Sequence, residues 1–201
     1  FKYPEKVDLE GYCPTYRGHL GQIKRILGTI LKSRHPVIYA GGGVVLSNAS
    51  GELADLARRM RIPVTTTLMG LGAFPADDPL WLGMLGMHGT YAANMAVTES
   101  DCLIAIGARF DDRVTGKIDE FAPRARIIHI DIDPTSISKN VQVHLPVVGD
   151  CCNVLCDMLK EIEDKQAEVS ELHHATEPWL ERLEQWKRDK PLRYEKGPGL
   201  K

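Results

Sequence analysis

The sequence predicts an α/β protein built on a doubly wound, Rossmann-like parallel sheet of about six strands, with helices on both faces. Strand-like and helix-like segments alternate from residue 36 to about residue 165, which is the pattern of a sheet with crossover helices. The predicted strands are apolar on both faces, as expected where helices cover both sides of a parallel sheet. Glycines and charged residues follow these strands, at the sheet edge where open α/β folds bind ligands.

Short apolar runs predict the strands, and Pro36 and Pro63 open two of them. Pro146 lies within the last run. A central strand would resist a proline, so this strand is expected at an edge of the sheet. In chain order the predicted strands span residues 37–40, 64–67, 102–106, 126–131 and 144–148.

Helices are predicted where apolar residues recur at every third or fourth position. The first spans residues 18–33, and the second starts at about Ser50, which is expected to be its N-cap. A helix rich in small residues is expected at 91–99. Two more should follow Asp133-Pro134 and Gly149-Asp150.

The predicted domain organisation has a linker at residues 1–17, a central domain at 18–166 and a helical linker at 167–201 that leads towards a domain outside this chain. The last segment is highly charged, and its one apolar stripe is expected to pack outside the main sheet or against another domain. The stripe consists of Trp179, Leu180, Leu183 and Trp186. Because the chain starts with Phe1 and a polar, proline-containing stretch, we expect a piece of a longer polypeptide.

Composition excludes several functional classes. The net charge of −2 gives no electrostatic case for nucleic acid, and no apolar run has membrane-spanning length. The five cysteines are an odd number, and none forms a CxxC pair, so a reduced, cytoplasmic protein is expected. Cys152 and Cys156 are helix neighbours, but no second ligand pair has zinc-site spacing, and no metal site is predicted.

The segment Gly-Ala-Arg-Phe-Asp-Asp-Arg-Val at 107–114 carries the clearest functional signal, because it follows the buried strand 102–106. Arg109 and Arg113 can serve an anionic ligand, and the carboxylates of Asp111 and Asp112 can orient them. This pattern indicates a phosphate-bearing cofactor or a carboxylate substrate.

Residues at other strand ends leave more than one interpretation open. The triple glycine at 41–43 can cradle an anion or simply form a tight turn, and it does not satisfy the GxGxxG fingerprint. Asp131 and Asp133 can accept from ribose hydroxyls or cap a turn, and a Mg²⁺ site is a third reading. His88 is either a general base or a loop histidine that donates to a ligand or to the backbone. The clustering of such residues at strand ends favours a nucleotide in an extended pose across the sheet edge.

Five runs at 39–44, 65–72, 85–89, 107–116 and 129–134 resemble, in order and spacing, the central domain of the acetohydroxyacid synthase (acetolactate synthase) large-subunit family. The likeness extends from about Pro14 to about Tyr194. The most specific runs are Gly-Ala-Arg-Phe-Asp-Asp-Arg and Leu-Gly-Met-His-Gly.

The resemblance implies a thiamine-diphosphate enzyme of three domains, whose central domain binds FAD. That enzyme condenses two 2-ketoacids with decarboxylation, pyruvate with pyruvate or with 2-ketobutyrate, in valine, leucine and isoleucine biosynthesis. By resemblance the substrate channel includes Met87, Asp112 and Arg113, and Arg113 holds the carboxylate of the second ketoacid. The implied FAD contacts are Gly41, Gly42, Gly43, Thr67, Leu68, Leu85, Gly86, Met87, His88, Gly107, Ala108, Arg109, Asp111, Arg113, Val114, Asp131, Ile132, Asp150 and Cys151.

The same resemblance places the catalytic glutamate, thiamine diphosphate and Mg²⁺ on other domains, so no catalytic residue is expected in this chain. The chain alone is expected to be inert. A homodimer or homotetramer of the full-length subunit and a regulatory small subunit are the implied partners. Two alternatives remain: a non-catalytic central domain of another thiamine-diphosphate-dependent decarboxylase or oxidase, and a nicotinamide-dependent dehydrogenase domain. The missing GxGxxG argues against the second.

Overall fold

A computed structural model of the chain describes residues 3–4 and 14–193. Most of the predicted linker at 1–17, including Cys13, and the segment 194–201 lie outside the described residues. Within the described part, one parallel sheet has the strand order β3-β2-β1-β4-β5-β6. The strands are Pro36–Ala40 (β1), Val64–Thr66 (β2), Trp81–Met84 (β3), Cys102–Ile106 (β4), Arg126–Asp131 (β5) and Leu145–Val148 (β6).

This order confirms the predicted doubly wound parallel sheet. The chain winds outward from β1 to β3, then crosses to β4 and winds outward in the opposite direction to β6. The two central strands β1 and β4 are buried along their whole length and pair in continuous register. The strand that contains Pro146 lies at one edge, as predicted, and Pro146 is exposed there.

Seven α-helices connect and flank these strands in the described part of the chain. Of the apolar positions whose spacing predicted helix α1, Ile23, Leu27 and Ile30 are buried, together with Ile26, whereas Leu20 is exposed. The helices are Leu20–Ile30 (α1), Gly42–Leu46 (α2), Ser50–Met60 (α3), Tyr91–Glu99 (α4), Asp112–Thr115 (α5), Cys151–Glu163 (α6) and Gln166–Asp189 (α7).

Several local features differ from the sequence-based expectations. The short helix expected after Asp133-Pro134 is a 3₁₀ turn at Pro134–Ser136, and the four-residue helix α5 was not predicted. Strand β3 was not predicted, because Trp81–Met84 is short and contains Gly83. Helix α2 was not predicted either, since it starts with two glycines, which are poor helix formers. Ser50 is not an N-cap: it is the first residue of α3, and Ala49 occupies the cap position without a side-chain hydrogen bond.

Apolar clusters cover both faces of the sheet. One face packs against α1, α3 and α6, and the other packs against α4 and the later part of α7. Helix α7 begins on the first face with Val169 and Leu172 and reaches the second face with Trp179 and Leu183.

The packing of α7 corrects the expectation that the apolar stripe of the tail packs outside the main sheet. Trp179 is fully buried, and its indole Nε1 donates to the carbonyl oxygen of Pro36, the first residue of β1, at 3.3 Å. Arg182 pairs with Glu99 at the end of α4 at 2.8 Å. Helix α7 is therefore part of the packed unit around the sheet. Among the described residues, no helix combines the length and the apolar character needed to cross a membrane.

Candidate functional site

The sequence-predicted site residues lie at the carboxyl ends of all six strands. The fold therefore brings them together along the carboxyl-end edge of the sheet, which runs across the strand ends and is distinct from the side edges formed by β3 and β6. Parallel strands end at the same edge, and in doubly wound sheets this edge binds ligands. By strand, the residues are Gly41, Gly42 and Gly43 after β1; Thr67 and Leu68 after β2; Leu85, Gly86, Met87 and His88 after β3; Gly107, Ala108, Arg109, Asp111, Asp112, Arg113 and Val114 after β4; Asp131 and Ile132 at the end of β5; and Asp150 and Cys151 after β6.

The glycines of this edge allow two strand ends to approach each other closely. The Gly43 amide donates to the Gly107 carbonyl oxygen at 2.9 Å, and a Cβ on Gly43 would lie 2.6 Å from the Gly107 Cα. Gly107 itself has a φ of +56°, which favours glycine. Of the two readings of the triple glycine, the tight turn accounts for Gly41 and Gly43 without any ligand, since a Cβ on either would strike the 107–108 backbone.

The turns at 85–89 and 107–114 are bonded directly to each other. The Met87 amide donates to the Arg113 carbonyl oxygen at 3.1 Å. Gly86 has a φ of +102°, and a Cβ there would lie 2.7 Å from the same carbonyl oxygen. The predicted substrate-channel residues Met87, Asp112 and Arg113 are thus brought together, and all three are exposed.

The charged side chains of the 109–113 segment face solvent. Asp111 caps α5 by accepting from the Arg113 amide at 3.2 Å. A hydrogen bond shared with Asp112, together with the Arg113 amide and the positive charges of Arg109 and Arg113, holds the pKa of Asp111 below its usual value. The Arg113 Nε lies 3.8 Å from an Asp112 carboxylate oxygen. Asp111 and Asp112 therefore lie beside Arg113, and the guanidinium groups of Arg109 and Arg113 remain exposed.

Unlike the charged side chains of the 109–113 segment, which face solvent, the Phe110 side chain is buried. Its ring lies between Tyr39 and His129, with ring centroids 6.0 and 5.2 Å away. Tyr39, Ala105 and His129 are aligned across β1, β4 and β5, and the small Ala105 side chain leaves room for the Phe110 ring. The Tyr39 hydroxyl and both His129 ring nitrogens are buried without a hydrogen-bond partner among the described residues. Burial, aided by the negative charge of Asp111, raises the Tyr39 pKa far above its usual range.

The acids at the ends of β5 and β6 have structural partners. Asp131 is almost fully buried, accepts from the Asp133 amide at 2.9 Å and lies 3.6 Å from the His129 Nε2. Asp133 caps a 3₁₀ turn and accepts from Thr135, which is the turn-capping reading of the sequence. Asp150 caps α6 by accepting from the Asn153 amide. Asp131 and Asp150 keep lone pairs for a further donor, such as a ribose hydroxyl, whereas the Asp133 oxygens are already engaged by Thr135 and Ser136.

Cys151 and His88 differ in what they offer a ligand. The Cys151 thiol is buried, and burial raises its pKa to about 12, so this side chain is a packing element beneath Gly107. His88 is exposed in the turn after β3.

Apolar side chains lie exposed beside the charged ones. Leu68 and Met87 are 68% and 70% exposed, and Met69 and Ile132 are also exposed. An edge that offers guanidinium groups and apolar side chains suits a ligand with both an anionic and an aromatic part. A pocket of about 240 Å³ opens between the ends of β4 and β5; its lining comprises Arg109, Phe110, Asp111, Asp112, Ser136, Lys139 and Asn140. This pocket is smaller than the roughly 300–1,000 Å³ that encloses a drug-sized ligand, so a dinucleotide would extend along the edge beyond it.

Sequence reasoning missed two asparagines that hold the edge in place. The Asn94 side chain accepts from the Gly86 amide at 3.2 Å and donates to the Gly86 carbonyl oxygen at 3.1 Å. The Asn140 side chain donates to the Phe110 carbonyl oxygen at 2.6 Å. An asparagine inside a helix of small residues is unfavourable without such a partner, and that was the available signal for Asn94.

Comparison with known proteins gives one family model and several relatives. Residues 23–158 match the family of the thiamine pyrophosphate enzyme central domain. The acetolactate synthase large subunit of Buchnera aphidicola is 47% identical over 194 residues, which is 96% of this chain and 33% of that protein. The probable acetolactate synthase large subunit of Methanocaldococcus jannaschii is 54% identical over 207 residues, again 96% of this chain and 33% of that protein.

The acetolactate synthase isozyme 3 large subunit of Escherichia coli is 43% identical over 197 residues, 97% of this chain and 34% of that protein. The chain therefore spans about a third of the length of the relatives it matches. These matches confirm the resemblance stated on the five sequence runs. With its doubly wound sheet and its match over residues 23–158, this chain belongs to the family of thiamine pyrophosphate enzyme central domains.

Proposed function

We propose that this chain is the FAD-binding central domain of an acetolactate synthase large subunit. The observation that carries the proposal is the hydrogen bond between the Met87 amide and the Arg113 carbonyl oxygen. This bond joins the two most specific sequence runs into one exposed surface. The proposal is also supported by relatives named acetolactate synthase large subunit, which are 43% to 54% identical to this chain. The reaction is the decarboxylating condensation of pyruvate with pyruvate or 2-ketobutyrate, in branched-chain amino-acid biosynthesis in the cytoplasm.

The residues at the sheet edge fit FAD in charge and in polarity. The FAD diphosphate is anionic, and Arg109 and Arg113 are exposed cations whose forks match phosphate and carboxylate groups. Asp131 retains acceptor capacity for a ribose hydroxyl. Leu68 and Ile132 offer apolar contacts to the ring systems. Joining two ketoacids with loss of carbon dioxide transfers no net electrons, so the flavin here is a structural group.

The side chains of this domain bind and orient the substrate. Arg113 pairs with the carboxylate of the second ketoacid, and Asp112, 3.8 Å from its Nε, orients the guanidinium. Met87 borders the same surface and contacts the apolar part of the ketoacid. Thiamine diphosphate with Mg²⁺ supplies the bond-forming chemistry from other domains, so this chain alone is inert. The full-length subunit works as a homodimer or homotetramer and pairs with a regulatory small subunit.

A chimeric enzyme tests this function. The chain replaces the matching central third of the Escherichia coli isozyme 3 large subunit, and both bound flavin and acetolactate formed from pyruvate are measured. We expect a yellow protein that makes acetolactate. Arg109→Ala should weaken FAD retention by about tenfold or more, the equivalent of one charge-assisted hydrogen bond, whereas Arg58→Ala, at an arginine that pairs with Asp78, should not.

A folded chimera without flavin and without acetolactate would contradict the proposal. The isolated chain provides a second test, which concerns the location of the catalytic groups. Turnover of pyruvate by the purified 201 residues would contradict the assignment of the catalytic groups to other domains. Titration of the same protein with NAD in place of FAD distinguishes the nicotinamide alternative.

A further inference from the structure

Helices α3 and α6 pack side by side on one face of the sheet and bring two thiols and a carboxylate together. Cys152 and Cys156 are one helical turn apart on α6, and Glu52 lies in the first turn of α3. The Sγ atoms of Cys152 and Cys156 and a Glu52 carboxylate oxygen all lie within 4.8 Å of one another. No sequence pattern groups Glu52 with the cysteines, because a hundred positions separate Glu52 from Cys152.

We propose that Glu52, Cys152 and Cys156 bind one thiophilic divalent cation, Zn²⁺ as the biological metal, between α3 and α6. Two ligands four residues apart on a helix share one face, which is the spacing that zinc sites use on helices. The third ligand comes from a different element, so the cation would link the two helices.

The distances suit such an ion after small side-chain rotations. With Zn–S bonds of about 2.3 Å, two tetrahedral ligand atoms lie roughly 3.5–3.8 Å apart, so atoms within 4.8 Å need to close by no more than about 1.3 Å. All three residues are half-buried, which leaves a path for the ion from solvent. Three protein ligands also leave the fourth tetrahedral position for water.

The ligand types set the choice of metal. Thiolates are soft donors that select zinc-like ions, whereas Mg²⁺, Ca²⁺ and Mn²⁺ prefer sites made of oxygen ligands. The other two described cysteines are excluded from the site. Cys102 lies in the buried centre of β4, and Cys151 is buried beneath Gly107.

Cobalt and zinc binding to the full chain under reducing conditions test this site. Co²⁺ should produce a thiolate-to-cobalt charge-transfer absorption that saturates at one equivalent and disappears when Zn²⁺ is added. Cys152→Ser and Cys156→Ser should each weaken Co²⁺ binding by at least about tenfold, and Glu52→Gln should weaken it to a smaller degree. Asp55→Asn on α3 and Cys102→Ala are the matched controls and should bind as the unaltered chain does.

A second measurement needs no variant. Zn²⁺ should protect Cys152 and Cys156 of the unaltered chain from alkylation, as read by mass spectrometry of the peptides. Absence of the charge-transfer absorption, alkylation of both thiols at an unchanged rate in Zn²⁺, or Co²⁺ binding that survives both serine substitutions would overturn the proposal.

Discussion

The Gly43 amide donates to the Gly107 carbonyl oxygen at 2.9 Å, which joins the ends of the two central strands β1 and β4. The two backbones approach so closely that a side chain on Gly43 would meet backbone atoms, which cannot rotate away as a flexible side chain can.

Gly43→Ala is therefore expected to destabilise the fold by about 2 kcal/mol or more, because its Cβ would lie 2.6 Å from the Gly107 Cα. The free energy of unfolding in urea measures the effect. Gly28→Ala is the matched control, since it lies inside α1 and its Cβ would meet no atom within 4 Å other than its chain neighbours and the backbone of its own helix. That change should stabilise by about 0.5–1 kcal/mol. Equal effects at the two positions would contradict the close approach.

Phe110→Ala is expected to cost about 3 kcal/mol, since it removes the ring that fills the space over Ala105 between Tyr39 and His129. Urea denaturation followed by circular dichroism gives the loss. Phe121→Ala removes a ring that contacts Phe110 edge-on but is only partly buried, so its cost should be smaller. If the order of the two losses were reversed, the account of Phe110 would be wrong.

Trp179→Ala is expected to destabilise the sheet domain by about 3–5 kcal/mol, because the indole is fully buried and bonded to β1. Trp186→Ala, at a partly buried ring on the same helix, should cost less. Thermal unfolding of both variants shows whether α7 belongs to the same cooperative unit. An unchanged melting temperature for Trp179→Ala would mean that α7 is only a linker.

Burial raises the pKa of Cys102 and of Cys151 from the ordinary 9.0 to about 12. Because the thiolate is the reactive form, neither residue should be alkylated in the folded chain at neutral pH, whereas the half-buried Cys152 and Cys156 should react in metal-free buffer. Mass spectrometry of the alkylated peptides at pH 7 and pH 9 checks the pattern.

The same two raised pKa values set a direction for stability. The folded state holds these thiol protons more tightly than the unfolded chain does, so their contribution is complete below pH 9 and declines as the pH rises from 9.0 towards about 12. Urea denaturation at pH 8 and pH 10 should give a lower free energy of unfolding at the higher pH. A higher value at pH 10 would contradict the assignment.

Regular patterns made much of the fold predictable. The all-apolar strands around Ile38 and Ile104 predicted the central strands, and the spacing of Ile23, Leu27 and Ile30 predicted α1. Strand β3 was not predicted. Its pairing with β2 is irregular, and Gly83 has no side chain that would contribute to an alternating or apolar strand pattern. The position of α7 was not predicted, because an apolar stripe shows that a helix packs against something but does not identify the surface that it contacts.

The gathering of the candidate site residues was predictable, since residues that follow parallel strands meet at the same end of the sheet. The contacts between the residues of the site were not predictable. The bond between Met87 and Arg113 is a backbone interaction, so no side chain in the sequence signals it. The grouping of Glu52 with Cys152 depends on how two helices pack, which a linear pattern does not contain.

The hydrogen bond from the Met87 amide to Arg113 has a kinetic consequence. A single proton ties two exposed loops together, and it can exchange with deuterated solvent only while the loops are apart. The exchange rate of this one amide therefore reports the equilibrium between the bonded and the open loops, and slower exchange in the presence of a ligand would show that the ligand stabilises the bonded state.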